Sequence, residues 1–419
     1  MEAKRALPSF HRVRELAEQF GTPLYVYDAE RVRENYSRVV RSFPTCEVFY
    51  SLKANPALAI CSLLCSMGAS VEVASGGELA IARRAGFSTE AIVYAGPAKR
   101  STELRAAIAQ RVASINIESE EELARIQGVA AEIRVTPRVS LRINPLVAEG
   151  EAVERMGGGP SQFGIDEETI PSIAAAHDLG SLHLMGFHSY VGSQMLDAAA
   201  IRGNLTHTLE SARRLADRMG FTPTYVGLGG GFGVPYSHTE DVLELEHLGA
   251  TFEADLRSHK HDWARSGVRL GLELGRYLVA DAGLFLTQVL DVKVSRGTTY
   301  VVVDGGMNGF LRPAFMRTKH PISLVGSSSD ATTEPVSVVG PLCTPLDAFA
   351  TGLELRRPAV GDLLAIHNAG AYGFSMSMLS FLSHDWPAEV ITDREQIHLI
   401  RGRRASARAL EEQFDVQWD

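Results

Sequence analysis

The sequence predicts an α/β protein with an added β part: a (β/α)8 TIM-like barrel followed by a C-terminal all-β domain. Short apolar runs alternate with helical segments from about residue 45 to 275, an order that is typical of parallel α/β folds. Eight such runs occur, which favours a closed barrel; a doubly wound open sheet is the structural alternative. The chain has 419 residues, enough for a barrel of about 250 residues and a smaller partner domain.

The eight apolar runs are the predicted barrel strands, and helical segments lie between them. Two of these segments begin with the pattern of a capping box, Ser75 to Glu78 and Ser119 to Glu122, which predicts that a helix starts at each. The predicted strands are CEVFYSL (46–52), ASVEVA (69–74), AIVYAG (91–96), ASINIE (113–118), RVSLRIN (138–144), LHLMGFHSY (182–190), TYVGLGG (224–230) and VRLGLELG (268–275).

Beyond residue 280 the pattern changes, because strand-like runs follow one another without long helices between them. We therefore predict two domains: a barrel over 29–278, and a β-sandwich or β-barrel domain formed by 1–28 together with 279–419. The predicted strands of the second domain are PLYVYD (23–28), FLTQVLDVKVS, TYVVVDGG, TEPVSVVGPL, DLLAIHNAGAY and AEVITD.

Composition excludes several classes of protein. The net charge is -9, with acids and bases mixed along the chain, whereas a nucleic-acid-binding protein needs a basic face. No apolar run approaches the ~18 residues of a membrane span, and the N-terminus lacks the apolar core of a signal peptide. The four cysteines form neither a CxxC pair nor a disulfide-like pattern, which favours a reducing cytoplasm. We predict no metal site.

Unusual polar residues follow the predicted strands at their C-terminal ends, where barrel enzymes place their chemistry. Because the carboxyl ends of barrel strands meet on one face, we expect these side chains to converge. They are Lys53 after the first strand, Glu72 in the second, His188, Tyr190 and Ser193 after the sixth, Gly229, Gly230 and Gly231 after the seventh, and Glu273, Gly275 and Arg276 after the eighth.

Two of these residues suggest a chemistry, although each also has an ordinary interpretation. Lys53 is either a surface lysine at a strand end, the commoner case, or an amine with a lowered pKa that forms a Schiff base. Glu273 is either a salt-bridge partner of Arg276 or the carboxylate that keeps a cofactor's ring nitrogen protonated. His188 and Tyr190 lie two residues apart on one strand face, so one of them could stack on an aromatic ring.

The run GLGGGFG is the candidate anion site, because glycines let several backbone N–H groups approach one phosphate. It does not fit the spacing of the dinucleotide fingerprint, and Gly-rich turns are common without any ligand. Two residues of the second domain are further candidates. Cys343 lies among turn residues in GPLCTPLD, and Tyr372 lies among small residues in NAGAYGFSMS; a buried apolar thiol and a packing tyrosine are their ordinary interpretations.

Taken together, these motifs resemble the alanine-racemase-like, fold type III enzymes that use pyridoxal 5'-phosphate (PLP), and among them the diaminopimelate and ornithine decarboxylase group. The resemblance covers nearly the whole chain, in the family's order. Its motifs are FYSLKANP, VEVASGGEL, QFGI, HSYVGSQ, GLGGGFG, ELGRYLVADAG, MNGFLRPA, GPLC and GAYGFSMS.

The resemblance implies a head-to-tail homodimer whose active sites are shared between one subunit's barrel and the other's β domain. It implies that Lys53 forms the Schiff base with PLP and that Glu273 pairs with the pyridine nitrogen. It also implies that Cys343, from the other subunit, helps to protonate Cα. The residues implied around the phosphate are Ser193, Gly229, Gly230, Gly231, Arg276 and Tyr372.

The sequence departs from the family pattern at the cofactor and at the substrate's far end. Tyr190 stands where a histidine usually stacks on the cofactor, Gln162 replaces a lysine, and Glu72 replaces an aspartate. After the cysteine, Thr344 replaces the acidic residue that reads a distal ammonium.

The residues that would meet the far end of the substrate are therefore Thr344, Met316 and Arg312, with Met316 in place of the usual tyrosine. An ammonium left unpaired beside them would cost several kcal/mol. Diaminopimelate is thus disfavoured.

The segments GGGPSQFGID and GPLCTPLD look more like the branch that serves biosynthetic gene clusters, some members of which act on amino acids attached to a carrier protein. The leading hypothesis is α-decarboxylation of an unusual, free or carrier-bound amino acid. Diaminopimelate decarboxylation is the conservative alternative. An amino-acid racemase and a non-catalytic PLP-binding homologue are further alternatives, the latter disfavoured by the retained Lys53, Glu273, Arg276 and Cys343.

Overall fold

The structure is a computed structural model that describes residues 10–418, apart from 153, 238, 259–266 and 327–331. Within the described residues the chain divides into two compact units. The barrel unit consists of Arg33–Val234 and Asp241–Leu278, and the β unit consists of the residues up to Val32, Pro235–Glu240 and the residues from Val279 onwards. Two stretches assigned from sequence to the barrel, 29–32 and 235–240, thus group with the β unit.

The strands, in chain order, are β1 (Leu24–Asp28), β2 (Cys46–Ser51), β3 (Ser70–Val73), β4 (Ile92–Tyr94), β5 (Ser114–Ile117), β6 (Arg138–Asn144), β7 (Glu154–Arg155), β8 (Ile165–Asp166), β9 (His183–Ser189), β10 (Gly192–Ser193), β11 (Tyr225–Gly230), β12 (Arg269–Leu274), β13 (Gly283–Ser295), β14 (Thr298–Val303), β15 (Ile322–Leu324), β16 (Glu334–Val339), β17 (Ala348–Leu355), β18 (Leu363–Ile366), β19 (Ala388–Asp393) and β20 (Gln396–Arg401).

The α-helices are α1 (Phe10–Phe20), α2 (Ala29–Ser42), α3 (Leu58–Ser66), α4 (Gly76–Ala85), α5 (Ser101–Ala109), α6 (Glu120–Ile133), α7 (Ile170–Ala176), α8 (Ala198–Met219), α9 (Leu245–Ser258), α10 (Arg276–Val279) and α11 (Arg312–Met316). A short 3₁₀ turn, Leu52–Ala54, follows β2 directly. None of the helices that the structure describes is both long and apolar enough to cross a membrane.

The barrel unit contains a closed parallel sheet of eight strands. Their order is β5-β4-β3-β2-β12-β11-β9-β6, and the pairing of β5 with β6 closes the ring. This closure confirms the predicted barrel and excludes the open doubly wound sheet. Each of the eight predicted runs contains one of these strands, because strands covered by helices on one side and filled by side chains on the other read as short continuous apolar runs.

Two helices of the barrel unit begin where the sequence predicts. Ser75 Oγ accepts a hydrogen bond from Glu78 N at 3.1 Å at the start of α4. Ser119 Oγ accepts one from Glu122 N at 3.2 Å at the start of α6. Such side-chain caps satisfy N–H groups that lack a partner in the first helical turn. The caps fix the point at which the chain leaves the barrel strand, and therefore where the strand-end side chains lie.

The β unit is built on a mixed sheet in which β17, β16, β14, β13, β1, β19 and β20 lie side by side, while β18 pairs with both β13 and β15. The N-terminal strand β1 pairs with β13 and β19, so it joins the sheet of the β unit; the sequence predicts that it joins this domain but not which strands it pairs with. The sequence analysis missed β15, β17 and β20. β15 has only three residues, β17 has two buried residues out of eight, and β20 has no buried residue, so none carries a clear apolar signal.

Candidate active site

Lys53 lies in the turn that follows β2, and it is held by a buried acid. Its Nζ is 3.0 Å from Glu72 Oε1 and 2.9 Å from Oε2. The side chain of Lys53 is 36% exposed, whereas that of Glu72 is 3% exposed. The Tyr190 ring centroid is 5.5 Å from Lys53 Nζ. The lysine is therefore not a free surface side chain: its amine is accessible, oriented by Glu72 and beside an aromatic ring.

The charge on Glu72 is set by two opposing effects. Burial alone would raise the pKa of its carboxyl group, because a charge is poorly solvated inside the protein. The Lys53 ammonium and hydrogen bonds from Lys53 and Ser51 outweigh this and lower the pKa of Glu72. Glu72 is thus a carboxylate at neutral pH, available to pair with a positive nitrogen at this position.

A second buried pair lies at the ends of β9 and β12. His188 Nε2 is 2.9 Å from Glu273 Oε2, and both side chains are 1% exposed. The ordinary interpretation of Glu273, a salt bridge with Arg276, is not what the structure contains, because Glu273 instead contacts a histidine 85 residues earlier in the chain. The other polar atom of each side chain is unsatisfied: Glu273 Oε1 and His188 Nδ1 are buried and have no hydrogen-bond partner among the described residues.

A buried acceptor without a partner is costly, so Glu273 Oε1 is an observation that points to a ligand. Its natural partner is a positively charged N–H group, since a carboxylate accepts most strongly from a charged donor. The protonated ring nitrogen of a pyridine is such a donor. The residues present therefore fit a PLP ring at this point of the barrel.

Arg276 and Ser193 provide a separate polar position. Arg276 Nη2 donates to Ser193 Oγ at 3.2 Å, and both residues are buried. Arg276 is the first residue of α10, directly after β12, and Ser193 belongs to β10, which pairs with β7. A guanidinium and a hydroxyl side by side suit the oxygens of a phosphate.

The glycines after β11 and β12 are required by close backbone packing. A Cβ built on Gly229, Gly230 or Gly231 would overlap the backbone oxygen of Ser189, Glu273 or Gly192 respectively. Gly229 and Gly231 also have positive φ angles of +69° and +77°, which side chains rarely adopt. These contacts are reason enough for the glycine run, and an anion site at its N–H groups stays a prediction.

Gly275 has the same kind of role one strand further on. A Cβ at this position would lie 2.8 Å from Ala54 Cβ and 3.2 Å from Ser51 Cβ. The missing side chain lets the end of β12 pack against the turn that carries Lys53. The sequence therefore places glycine where two chemically important strand ends meet.

The barrel unit also contains a buried charge cluster that the sequence analysis missed. Lys99 Nζ contacts Glu122 Oε2 at 2.9 Å, and Arg142 Nη1 contacts Glu118 Oε1 at 2.6 Å. Glu118 N also donates to Glu122 Oε2 at 2.8 Å, so the two ion pairs form one network. Burial lowers the pKa of Lys99 despite these carboxylates. Of the four residues, Glu118 alone directly follows an apolar strand, and a charged residue at a strand end is too common to be a specific signal.

In the β unit, Arg312 is enclosed by aromatic rings. Its guanidinium carbon is 5.2 Å from the Tyr236 ring centroid and 5.6 Å from the Tyr372 ring centroid, and the residue is 1% exposed. Cations held over ring faces in this way are stabilised electrostatically. The sequence analysis missed Tyr236, because it follows a barrel strand in the chain and yet belongs to the β unit.

Tyr372 adopts an unusual backbone conformation with φ at +54°, which is rare for a bulky residue and often marks a functional position. Met316 is the last residue of α11, the short helix that Arg312 begins.

Cys343 and Thr344 lie on the loop between β16 and β17. Cys343 is exposed, so it is not the buried apolar thiol of the ordinary interpretation. Thr344 Oγ1 accepts from Leu346 N at 3.3 Å.

The structure thus brings the predicted residues together in groups. The barrel unit joins Lys53 with Glu72 and Tyr190, His188 with Glu273, and Arg276 with Ser193. The β unit joins Arg312 with Tyr372. Cys343, Thr344 and Met316 make no described contact with these groups, and they stay candidates on the grounds given from sequence.

Comparison with known proteins gives a consistent picture. Residues 29–280 match the pyridoxal-binding domain of the pyridoxal-dependent decarboxylases. The chain is 37% identical over 397 residues to an L-glutamyl-[BtrI acyl-carrier protein] decarboxylase from Niallia circulans, with 92% of each chain covered. It is 35% identical over 395 residues to a diaminopimelate decarboxylase from Methanothermobacter thermautotrophicus, covering 93% of this chain and 91% of that one.

Among solved structures, diaminopimelate decarboxylase from M. jannaschii in complex with L-lysine superimposes with a TM-score of 0.89 at 32% identity. The match covers 96% of this chain and 94% of that one.

Proposed function

Because the chain belongs to the pyridoxal-dependent decarboxylases, we propose that it removes the α-carboxylate of an amino acid whose side chain ends in a carbonyl group, such as a glutamyl group on a carrier protein. The enzyme is a PLP-dependent decarboxylase. The observation that carries the substrate proposal is the pair of residues in the β unit: a buried Arg312 held between two tyrosine rings, and an uncharged Thr344 after Cys343.

The barrel residues supply a binding frame for the cofactor. When bound, PLP draws the electrons of the breaking bond into its ring. Lys53 would carry it covalently, and Glu273 Oε1 would accept the N–H of its ring nitrogen. Arg276 and Ser193 would hold its phosphate together with the backbone N–H groups of Gly229, Gly230 and Gly231. Gly275 and Tyr372 would complete the surroundings.

Glu72, Tyr190 and His188 have supporting roles in this proposal. Glu72 keeps the Lys53 amine in place by its bidentate contact. Tyr190 lies beside that amine, in position to lie against one face of a bound ring. His188 donates to Glu273 and so fixes the orientation of the carboxylate that meets the ring nitrogen.

Cys343 is proposed as the proton donor. Once CO2 has left, Cα must gain a proton, and a thiol close to Cα can donate it as a general acid. Its exposure on a loop of the β unit keeps the Sγ atom accessible. We propose that the loop serves the barrel of a second subunit, in a homodimer with shared active sites. We also propose a cytoplasmic location, which the free state of the four cysteines supports.

Selectivity is proposed to lie with Arg312, Thr344 and Met316. They offer one positive charge, one hydroxyl and one thioether, and no carboxylate. A distal ammonium would lose its hydration without gaining a counter-charge, which costs several kcal/mol. A distal carboxylate, amide or thioester would instead accept hydrogen bonds. A carrier-bound glutamyl group would have to be attached through its side-chain carboxyl, because the reaction needs a free α-carboxylate.

The experiment that tests this proposal measures CO2 release from a carrier-bound glutamyl group, from free L-glutamate and from meso-diaminopimelate at equal concentration. We expect one of the first two to be converted with the highest kcat/KM. The carrier protein without an amino acid is the control for background release. Efficient conversion of free meso-diaminopimelate to lysine would contradict the proposal.

Diaminopimelate decarboxylation is the second candidate, favoured by the 35% identical relative and by the lysine-bound structure described above. It requires that the enzyme tolerate an ammonium beside Thr344. The same CO2 assay separates the two candidates.

A further inference from the structure

Asp347 is a buried residue on the loop that carries Cys343 and Thr344, and its carboxylate accepts hydrogen bonds from two backbone N–H groups. Its Oδ2 accepts from Leu342 N at 2.9 Å, and its Oδ1 accepts from Met307 N at 2.7 Å. The residue is 3% exposed. One carboxylate therefore connects the residue directly before Cys343 with the segment that leads to Arg312.

The backbone of Asp347 closes the same loop. Gly340 N donates to Asp347 O at 3.0 Å, and Asp347 N donates to Thr344 O at 3.2 Å. Cys343 and Thr344 thus lie in a short loop that Asp347 closes. Its backbone bonds to Gly340 and Thr344, and its side chain bonds to Leu342 N within the loop. Surface loops whose ends lie close together and that are packed by their own side chains are compact.

Gly306 and Gly340 leave the space that the Asp347 carboxylate occupies. A Cβ built on Gly306 or on Gly340 would overlap the Asp347 oxygens. Both glycines have ordinary negative φ angles, since neither is among the residues with positive φ. Space for the side chain of Asp347, and not backbone conformation, is therefore the reason for glycine at these positions.

We propose that Asp347 is a positioning residue that holds the Cys343 thiol and Thr344 in place on their loop. This inference rests on the proposed roles of those two residues. It does not make Asp347 a catalytic residue, because its contacts are with the chain itself. Displacement of a reacting group by about 1 Å can lower the rate about 100-fold. Loss of the Asp347 hydrogen bonds should therefore affect proton transfer from Cys343 more than the overall stability of the protein.

The test compares Asp347→Asn with Asp304→Asn in the holoenzyme. An asparagine can accept one of the two N–H bonds, but its NH2 group faces the other donor. Asp304 is the matched control: in the same unit it accepts from Thr22, Thr287 and Gln288, and it makes no described contact with the Cys343 loop. The two readouts are hydrogen exchange at Leu342 and Met307, and the amine formed per CO2 released.

We expect Asp347→Asn to speed exchange about 10-fold or more at whichever of the two amides then faces the NH2 group, because that amide loses its hydrogen bond to a charged group. We also expect the Asp347→Asn enzyme to form less amine than CO2, because a displaced Cys343 thiol allows protonation at an atom other than Cα. Asp304→Asn should change neither. Asp347→Glu keeps the charge but should not restore amine formation, since the space bounded by Gly306 and Gly340 cannot take another methylene.

Unchanged exchange and an unchanged product ratio in Asp347→Asn would overturn the proposal, as would equal effects of the two asparagine variants or full rescue by glutamate. If Asp347→Asn does not fold, the wild-type holoenzyme decides: the Leu342 amide should exchange about 10-fold more slowly than the Cys343 amide, and equal rates would overturn the proposal. Exchange needs no substrate. Faster exchange in Asp347→Asn therefore supports the positioning role of Asp347 even if the proposed substrates release no CO2.

Discussion

The barrel unit and the β unit hold their candidate functional residues by different means. In the barrel unit, polar side chains pair with buried polar partners: Lys53 with Glu72, and Glu273 with His188. In the β unit, Arg312 lies against tyrosine rings, and the Cys343 loop is held by hydrogen bonds from backbone N–H groups to the Asp347 carboxylate. The barrel unit therefore positions its functional side chains by pairs of polar side chains, and the β unit positions them by packing and backbone hydrogen bonds. Changes in the first should abolish the chemistry, whereas changes in the second should redirect it.

The largest expected effect is that of Lys53→Ala. The variant should lose covalent attachment of the cofactor and lower kcat by a factor on the order of 10⁴. Absorbance of the purified protein reports attachment, and CO2 release reports turnover. Lys53→Arg is the matched control, because it keeps a cation beside Glu72 and still cannot carry the cofactor. If Lys53→Arg retained wild-type activity, the ion pair and not the amine would be what matters.

Cys343→Ala should have the next largest effect. Loss of a positioned general acid lowers kcat about 10²-fold or more, while cofactor binding should be spared because Cys343 lies outside the barrel unit. Amine formed per CO2 released should fall as well. A serine at Cys343 is the control for size.

Mixed dimers test whether the site is shared. Subunits with Lys53→Ala and subunits with Cys343→Ala should each have strongly reduced activity alone, and together they should form one intact site per mixed dimer. No recovery, with subunit exchange demonstrated, would refute the shared site.

Arg312→Ala should have a moderate effect of a different kind. If Arg312 only anchors the far end of the substrate, KM should rise about 10- to 100-fold, the range expected for a lost hydrogen bond to a charged group, with a smaller change in kcat. Arg312→Lys keeps the charge but not the planar group between Tyr236 and Tyr372. A fall in kcat with an unchanged KM would place Arg312 in the chemical step instead.

Thr344→Glu should have the smallest effect and the most specific one. A carboxylate at this position should shift kcat/KM about 10-fold towards diamino acids and away from substrates with a distal carbonyl group. Thr344→Gln has nearly the same size without the charge, so it separates electrostatics from packing. Equal preferences in the two variants would show that position 344 does not face the substrate.

The sequence was sufficient to predict the barrel and the cluster of polar residues at its strand ends. Strands buried on both faces leave continuous apolar runs, and strand ends of a barrel meet on one side. The pairing of Glu273 with His188 could not be predicted, because 85 residues separate them and Arg276 was the nearer alternative in the chain. Tyr236 was missed because it belongs to the β unit although it follows a barrel strand. Asp347 was missed because its role depends on which backbone N–H groups its carboxylate meets, which the sequence does not show.

The β strands that were missed differ from those that were found in their exposure. β17 contains exposed positions and Gly352, and β20 contains three exposed residues and no buried one. An edge strand with little buried surface has no strong sequence pattern, because its formation depends on a neighbour and not on its own apolar face.

The most direct test of the central claim, that the barrel cluster holds the cofactor on Lys53, is reduction of the purified holoenzyme with borohydride followed by peptide mass spectrometry. The account predicts a yellow protein whose reduced adduct maps to the peptide containing Lys53. A reduced adduct on a different lysine, or a colourless protein that releases CO2 without added cofactor, would contradict it.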